Sequence, residues 1–281
     1  SYYGLPDDTN TQVLFWNKAD FAAAGLSGPP TTQTQMWADV AKLTNPAKGQ
    51  IGLSVDGTDV WNVSPYVWSA GGGFTNSAIT TATGYMNGSA TEGVLQELVN
   101  LYKAGDIGKD FLGGSGSVSG ETGFPKGEYA MYIDGPWAVP TYRQEHFSGY
   151  GMVLMPKGAA GSISVVGGED LAIARGVKNL PDVIKLAQFL TAPFAQLQMA
   201  NQGDLATYTN DLHGEIQAQP YLDIFVQQLK SAEARPVAPG YAILDADFSA
   251  EMQEVLSGKL DLSDALNTAA TEANAALAAN S

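Results

Sequence analysis

The sequence has 281 residues, a size at which chains usually divide into two domains or lobes, and its 44% hydrophobic and 15% charged residues are typical of a folded globular protein. Its 14 basic and 29 acidic residues give a formal net charge of −15, which would repel nucleic acid and anionic lipid headgroups and favours a neutral or cationic small ligand. Cysteine is absent and the two histidines, His146 and His213, lie far apart, so we expect no zinc site, thiol nucleophile, disulfide or other metal or cofactor site.

Strand-like and helical stretches alternate along the first half of the chain, which predicts an α/β architecture of layered sheets and helices. The predicted elements are a strand over residues 13–16, a helix over residues 20–24, a helix over residues 32–43 and a helix that ends before Gly105. Apolar residues recur at helical spacing in the second of these helices, at Met36, Trp37, Val40 and Leu43. That spacing predicts a face packed against the core.

The second half begins with two predicted strands, over residues 129–133 and 152–155, and a short apolar strand over residues 171–174. A helix should follow near Pro181, a favoured first-turn position for proline, and a terminal helix over residues 263–279 should be capped by Ser263.

The sequence lacks several motifs that would indicate a phosphate-binding, membrane-spanning or signal segment. Residues 113–120 are rich in glycine and serine without the dinucleotide-binding fingerprint, so we expect a surface loop there rather than a phosphate cradle. No run approaches the length of a membrane span, and the opening Ser1-Tyr2-Tyr3 lacks the regions of a signal peptide. We therefore expect neither a membrane-spanning segment nor a signal peptide in this chain.

Several sequence blocks carry a family resemblance through their order and spacing, which no single block would carry. They are Gly4-Leu5-Pro6 with residues 8–18, 21, 24–26 and 29–31, then residues 68–73, 124–131, 133–137, 167–173 and 235–241. Read together, they resemble the extracellular solute-binding proteins of bacterial ABC importers, in the maltose and oligosaccharide class. The resemblance covers the chain almost end to end.

The resemblance implies an α/β, periplasmic-binding-protein-like (type II) fold of two lobes joined by crossing segments. It assigns residues 1–12 to a crossing from the first lobe, residues 13–158 and 208–281 to the second lobe, and residues 159–207 to the rest of the first lobe. In the family the Gly4-Leu5-Pro6 block follows on the order of a hundred residues. We therefore expect an incomplete first lobe. The chain could be a fragment, a clipped product, or one piece of a protein whose other piece is separate.

By resemblance, the function is that of a non-enzymatic carbohydrate receptor that delivers a mono- or oligosaccharide to a membrane ABC permease. The expected location is extracytoplasmic, in the periplasm or on a cell-surface lipoprotein. Two other functions stay open: an interaction module that no longer binds sugar, and a glycoside-processing enzyme. No nucleophile elbow, HExxH helix or P-loop supports the enzyme, and no pair among the 29 acidic residues stands out as catalytic.

Tryptophan is the residue best suited to bind a sugar, because its flat apolar face accepts the C–H groups of a pyranose while its N–H stays free to donate. By resemblance, Trp137 is the principal platform at the cleft end of a strand, Trp61 is the second aromatic position, and Tyr241 is a third near the lobe junction. The alternative for all three is that they are partly buried residues with an ordinary packing role. We assign packing roles to Trp16, Trp37 and Trp68.

Polar residues at the expected lobe junction could bind sugar hydroxyls through acceptor side chains, through backbone amide groups or through an arginine side chain that holds the sugar. These candidates are Asp8, Asn10, Gly167, Gly168, Glu169, Asp170 and Arg235. For Asp8 and Asn10 the alternative is an ordinary turn in which the side chain binds its own backbone. For Arg235 the alternative is a salt bridge between elements.

Overall fold

The computed structural model describes residues 4–279, so the expectation about Ser1-Tyr2-Tyr3 and the start of the predicted crossing lie outside the described residues. Within that range the strands are β1 Leu5–Pro6, β2 Asn10–Thr11, β3 Val13–Asn17, β4 Ile51–Ser54, β5 Tyr129–Asp134, β6 Tyr150–Val153, β7 Ser164–Gly167, β8 Asp170–Leu171 and β9 Ala232–Ala234. The helices are α1 Lys18–Ala23, α2 Gln33–Leu43, α3 Val60–Ala70, α4 Ser89–Ala104, α5 Gly120–Gly123, α6 Ala138–Gln144, α7 Leu180–Leu190, α8 Pro193–Met199, α9 Thr209–Ala218, α10 Asp223–Leu229, α11 Tyr241–Leu256 and α12 Leu262–Ala279.

The largest sheet has the strand order β4-β5-β3-β6 and lies between two apolar cores. Strand side chains alternate between the two faces of a sheet, so one strand can supply both cores. In β3, Leu14 belongs to the core formed with α2, α3, α4, α11 and α12, whereas Val13 and Phe15 belong to the core formed with α6 and α10. This sheet therefore fixes the position of the loop after β5, which carries Trp137.

The three-stranded sheet β2-β7-β9 places three candidate residues at one edge. β2 runs antiparallel to β7, with Asn10 opposite Gly167, and β9 runs parallel to β7, with Ala234 opposite Val166. The end of β7 and the residue after β9 therefore lie side by side, next to the start of β2. Asn10, Gly167 and Arg235 are brought together by this register.

Local sequence signals explain where the first helices begin. The Asn17 side chain accepts hydrogen bonds from the backbone N–H groups of Ala19 and Asp20, so α1 begins two residues before the predicted start. The Thr32 hydroxyl accepts from the N–H of Gln35 and caps α2, as the predicted start at residue 32 requires.

Three predictions from the sequence are wrong. The strand expected over residues 152–155 is displaced to β6, Tyr150–Val153, where it pairs with β3. The expected strand over residues 171–174 is limited to β8, because its partner β1 offers only Leu5 and Pro6 for pairing. Ser263 does not cap the terminal helix: α12 already includes Leu262, whose side chain is buried in the core, so Ser263 is its second residue.

α7 and α8 leave a set of large apolar side chains in contact with solvent. The most exposed are Leu186, Phe189 and Phe194, at 55%, 57% and 66% exposure. Clusters of exposed apolar side chains on a folded protein are often contact surfaces. Across residues 4–279, no helix combines the length and the apolarity that crossing a membrane requires.

Candidate functional site

A cavity of about 510 Å³ opens at the shared edge of the β2-β7-β9 sheet, facing the loop after β5. Its lining includes eight of the ten residues proposed as ligand contacts from the sequence, together with one residue that was not proposed. The lining residues are Asp8, Asn10, Trp61, Trp137, Gly167, Gly168, Glu169, Asp204 and Arg235. Tyr241 and Asp170 are the two proposed contacts that lie outside this lining.

Main-chain hydrogen bonds hold the segment before β2 between two other parts of the chain. The N–H of Asp7 donates to the carbonyl of Glu169 over 2.9 Å, which keeps the segment beside β8. Thr9 and Leu205 exchange both backbone hydrogen bonds, at 2.8 and 3.2 Å. These contacts bring the side chains of Asp8 and Asp204 to the same cavity, although the two residues are far apart in sequence.

Trp61 and Trp137 reach the cavity from different elements. Trp61 is the second residue of α3, whose start is held by the Asp59 cap and by the Asp245 carboxylate, which accepts from the Val60 N–H over 2.7 Å. Trp137 follows β5 and directly precedes α6. The two indole rings are stacked with 6.3 Å between their centroids and 28° between their planes, and both are half-buried. The pair is therefore an aromatic wall with part of its surface open to the cavity.

Arg235 extends this wall. Its guanidinium lies over the Trp61 ring at 5.1 Å and over the Tyr241 ring at 5.8 Å, which are cation–π distances. Arg235 forms no direct ion pair with any residue in the described part of the chain, and its interaction with the Asp245 carboxylate on α11 is longer-range. Tyr241, the first residue of α11, stands behind Arg235 and contributes to the wall through it.

The paired glycines allow the cavity's own side chains to approach each other. A Cβ on Gly167 would lie 2.4 Å from the Asn10 Oδ1 and 2.8 Å from the Trp61 ring. Gly168 has a φ of +140° and lies against the carbonyl of Asp8, where a Cβ would be 2.4 Å from the oxygen. Both positions therefore need glycine for packing within the site, whether or not a ligand contacts their backbone amides.

The charged groups around the cavity are mostly acidic. Asp8 is 8% exposed, and one of its carboxylate oxygens accepts from the backbone N–H of Glu169 over 3.3 Å. Burial, together with the neighbouring carboxyl groups of Glu169 and Asp204, raises the pKa of Asp8 to about 7. Burial also raises the pKa of Asp204, with Glu169 and Asp7 adding to the effect. The cavity thus holds three carboxyl groups, and burial and neighbouring carboxylates oppose the ionisation of two of them, Asp8 and Asp204.

Asn10 is nearly fully buried, at 7% exposure, yet its side-chain oxygen has no hydrogen-bond partner among the described residues. A buried amide oxygen without a donor is unfavourable by roughly 1–3 kcal/mol. Asn10 lines the cavity, so a small shift of its side chain would let a donor on a bound molecule remove this penalty.

The other three tryptophans have the packing roles expected from the sequence. Trp16 packs edge-on against Phe21, Trp37 stacks on Tyr66, and Trp68 packs edge-on against Phe74. None of the three lines the cavity described above.

Asp204 was missed by the sequence analysis. It follows the short turn that ends at Gly203, which packs against the Pro136–Trp137 peptide. Nothing in the local sequence distinguishes this aspartate from the other acidic residues. Its position depends on the Thr9–Leu205 bridge, which joins distant segments.

Comparisons with known proteins agree with this architecture. The model of a family described as bacterial extracellular solute-binding proteins matches residues 1–224. A Brucella abortus protein named as a binding protein is 27% identical over 98% of this chain and 68% of its own length. The sn-glycerol-3-phosphate-binding periplasmic protein of Pectobacterium atrosepticum is 26% identical over 97% of this chain and 65% of its own length.

A solved structure gives the fold. The ABC transporter solute-binding protein of Thermotoga lettingae, bound to α-D-tagatose, superposes with a TM-score of 0.88 at 24% identity. The match covers 98% of this chain and 72% of that protein. The predicted fold class, a periplasmic-binding-protein-like α/β fold, is confirmed by this similarity.

Proposed function

This chain belongs to the bacterial extracellular solute-binding proteins, and we propose that it is a carbohydrate receptor whose cavity at Trp137 binds a mono- or oligosaccharide. One observation carries the proposal: two tryptophans and a set of hydrogen-bonding groups line the same half-open cavity. Indole faces suit the apolar faces of a sugar ring, and carboxylate and amide oxygens suit its hydroxyls.

Each candidate residue has a role in this proposal. Trp137 is the platform for the sugar ring, and Trp61 continues the aromatic wall beside it. Asp8, Asn10 and Glu169 accept hydrogen bonds from sugar hydroxyls. The Gly167-Gly168 pair lets Asn10 and Trp61 come close together, and the backbone amides there are further donors. Arg235, backed by Tyr241, holds Trp61 in place and can donate to the sugar.

Delivery to a membrane ABC permease follows from the same proposal. In a two-lobe receptor the sugar stabilises the closed form, because only the closed cleft offers contacts from both sides. The permease would then recognise the closed form. This function places the protein outside the cytoplasm, in the periplasm or at the cell surface, which fits the extracellular description of the family.

Catalysis is the less favoured alternative, although the cavity holds carboxyl groups as a glycosidase site does. The relatives reported above are named as binding proteins. Incubating the protein with disaccharides and measuring the sugars that remain separates the two functions. Intact sugar with saturable one-to-one binding supports the receptor, and turnover contradicts it.

A second candidate function is protein docking without sugar binding. It is favoured by the exposed apolar side chains of α7 and α8, including Leu186, Phe189 and Phe194. Under this alternative, replacing these residues by polar ones would abolish complex formation while added saccharides would have no effect on the protein.

A thermal-shift screen over malto-, xylo-, gluco- and galacto-oligosaccharides tests the main proposal. A ligand at about a hundred times its Kd stabilises the folded state by roughly 2.7 kcal/mol. At least one saccharide should therefore raise the Tm in a concentration-dependent way. No shift with any saccharide would contradict the proposal.

A further inference from the structure

Acidic side chains outnumber basic ones in the cavity lining. Asp8, Glu169 and Asp204 contribute three carboxyl groups, and Arg235 is the one basic side chain in the lining. The Arg235 guanidinium is engaged with the rings of Trp61 and Tyr241 and lies beyond ion-pair distance of every carboxylate that the structure describes. The carboxyl groups therefore face the cavity with no cationic partner.

A buried acceptor lies at the edge of the same cavity, beside Gly167. The Asn10 side-chain oxygen has no hydrogen-bond partner within residues 4–279, and Asn10 is 7% exposed. This observation is independent of the acidic residues. Together these groups require a ligand that donates hydrogen bonds at this point and accepts few.

Burial and neighbouring carboxylates oppose the ionisation of Asp8 and Asp204. The raised pKa values of Asp8 and Asp204 reflect burial first and neighbouring carboxylates second. A neutral hydroxyl leaves this repulsion in place, and a phosphate or carboxylate on the ligand would increase it. A positive charge on the ligand would remove it.

We propose that the preferred ligand is a saccharide carrying a protonated amino group, with its ammonium among Asp8, Asp204, Glu169 and the Asn10 amide oxygen. An ammonium has three donors and no acceptor, which matches the acceptors around this part of the cavity. The sugar ring would lie against the Trp137 indole. This inference rests on the proposed function, because it names the substrate class of the same site.

Matched sugars test the inference by isothermal titration calorimetry on the full chain at low ionic strength and slightly below neutral pH. The series pairs glucosamine with glucose and N-acetylglucosamine, and galactosamine with galactose and N-acetylgalactosamine. The corresponding disaccharides and glucose 6-phosphate complete it. In at least one series we expect the amino sugar to bind about tenfold more tightly, or better, than its neutral and acetylated counterparts. Added salt should weaken the amino sugar most.

Two variants assign the preference to the cavity. Asp204→Asn and Glu169→Gln each remove one negative charge with little change in shape, and each should reduce the preference for the amino sugar several-fold. Asp264→Asn is the matched control, because it removes one charge from an exposed position on α12, outside the cavity lining. It should leave the preference unchanged.

The outcomes separate this inference from the proposed function. Equal affinity for amino and neutral sugars, or tightest binding of the phosphate ester, would overturn the inference and leave a carbohydrate receptor. A preference that survives both cavity variants would also overturn it. Absence of binding by every sugar would overturn the proposed function itself.

Discussion

Replacing Trp137 by alanine should weaken saccharide binding by about 2 kcal/mol or more. An aromatic side chain can bury 150–250 Å², and a sugar lying on one part of the indole would cover roughly 80 Å² of it. At about 25 cal/mol per Å² this contact contributes about 2 kcal/mol, or roughly a 30-fold change in Kd. Trp137 is half-buried and lines the cavity, so its indole has surface available for this contact.

The same substitution also removes the stacking of Trp137 on Trp61, which should lower the free energy of unfolding by about 0.5–1.5 kcal/mol. Calorimetric titration below the Tm of both proteins separates affinity from stability. Trp137→Phe retains a flat ring and should recover part of the lost affinity. Equal Kd values for the wild type and Trp137→Ala would refute the assignment of Trp137 as the platform.

Three further substitutions test the surroundings of the site. Trp37→Ala removes the stack on Tyr66 and should lower the Tm while the saccharide Kd stays within about twofold, so a large loss of affinity would contradict its packing role. Glu215→Ala leaves the buried N–H of Ala206 without its acceptor and should lower the free energy of unfolding by about 1–3 kcal/mol in chemical denaturation. Asp8→Asn should change the pH dependence of stability: the pKa of Asp8 is raised from 3.8 to about 7, so its ionisation destabilises the folded wild type as pH rises between these values. The variant should therefore gain on the order of 2–4 kcal/mol relative to the wild type from pH 4 to pH 8, and parallel stability curves would contradict this.

Local signals in the sequence predict much of the fold. The helical spacing in α2 and the capping residue Thr32 depend on neighbours within a few turns, so they are readable without knowledge of the fold. The end of the strand predicted over residues 171–174 depends instead on its partner β1, which is only two residues long. Pairing between distant strands is a tertiary property that local composition does not encode.

The candidate site likewise contains residues that could be predicted from the sequence and residues whose position depends on long-range contacts. The indole positions Trp61 and Trp137 follow from residue type together with the family resemblance, and both line the cavity. Asp204 could not be predicted, because its place beside Asp8 depends on the long-range bridge between Thr9 and Leu205. The position of Tyr241 outside the cavity lining also depends on tertiary contacts, because the Arg235 side chain lies between Tyr241 and Trp61.

The position of a bound saccharide in a crystal structure tests the central claim most directly. We predict that the sugar ring lies against the Trp137 indole, with its polar groups within hydrogen-bond distance of Asp8 and the Asn10 side-chain oxygen. A saccharide bound elsewhere, such as the cavity lined by Trp68 and Phe74, with the Trp137 cavity holding only solvent, would contradict it.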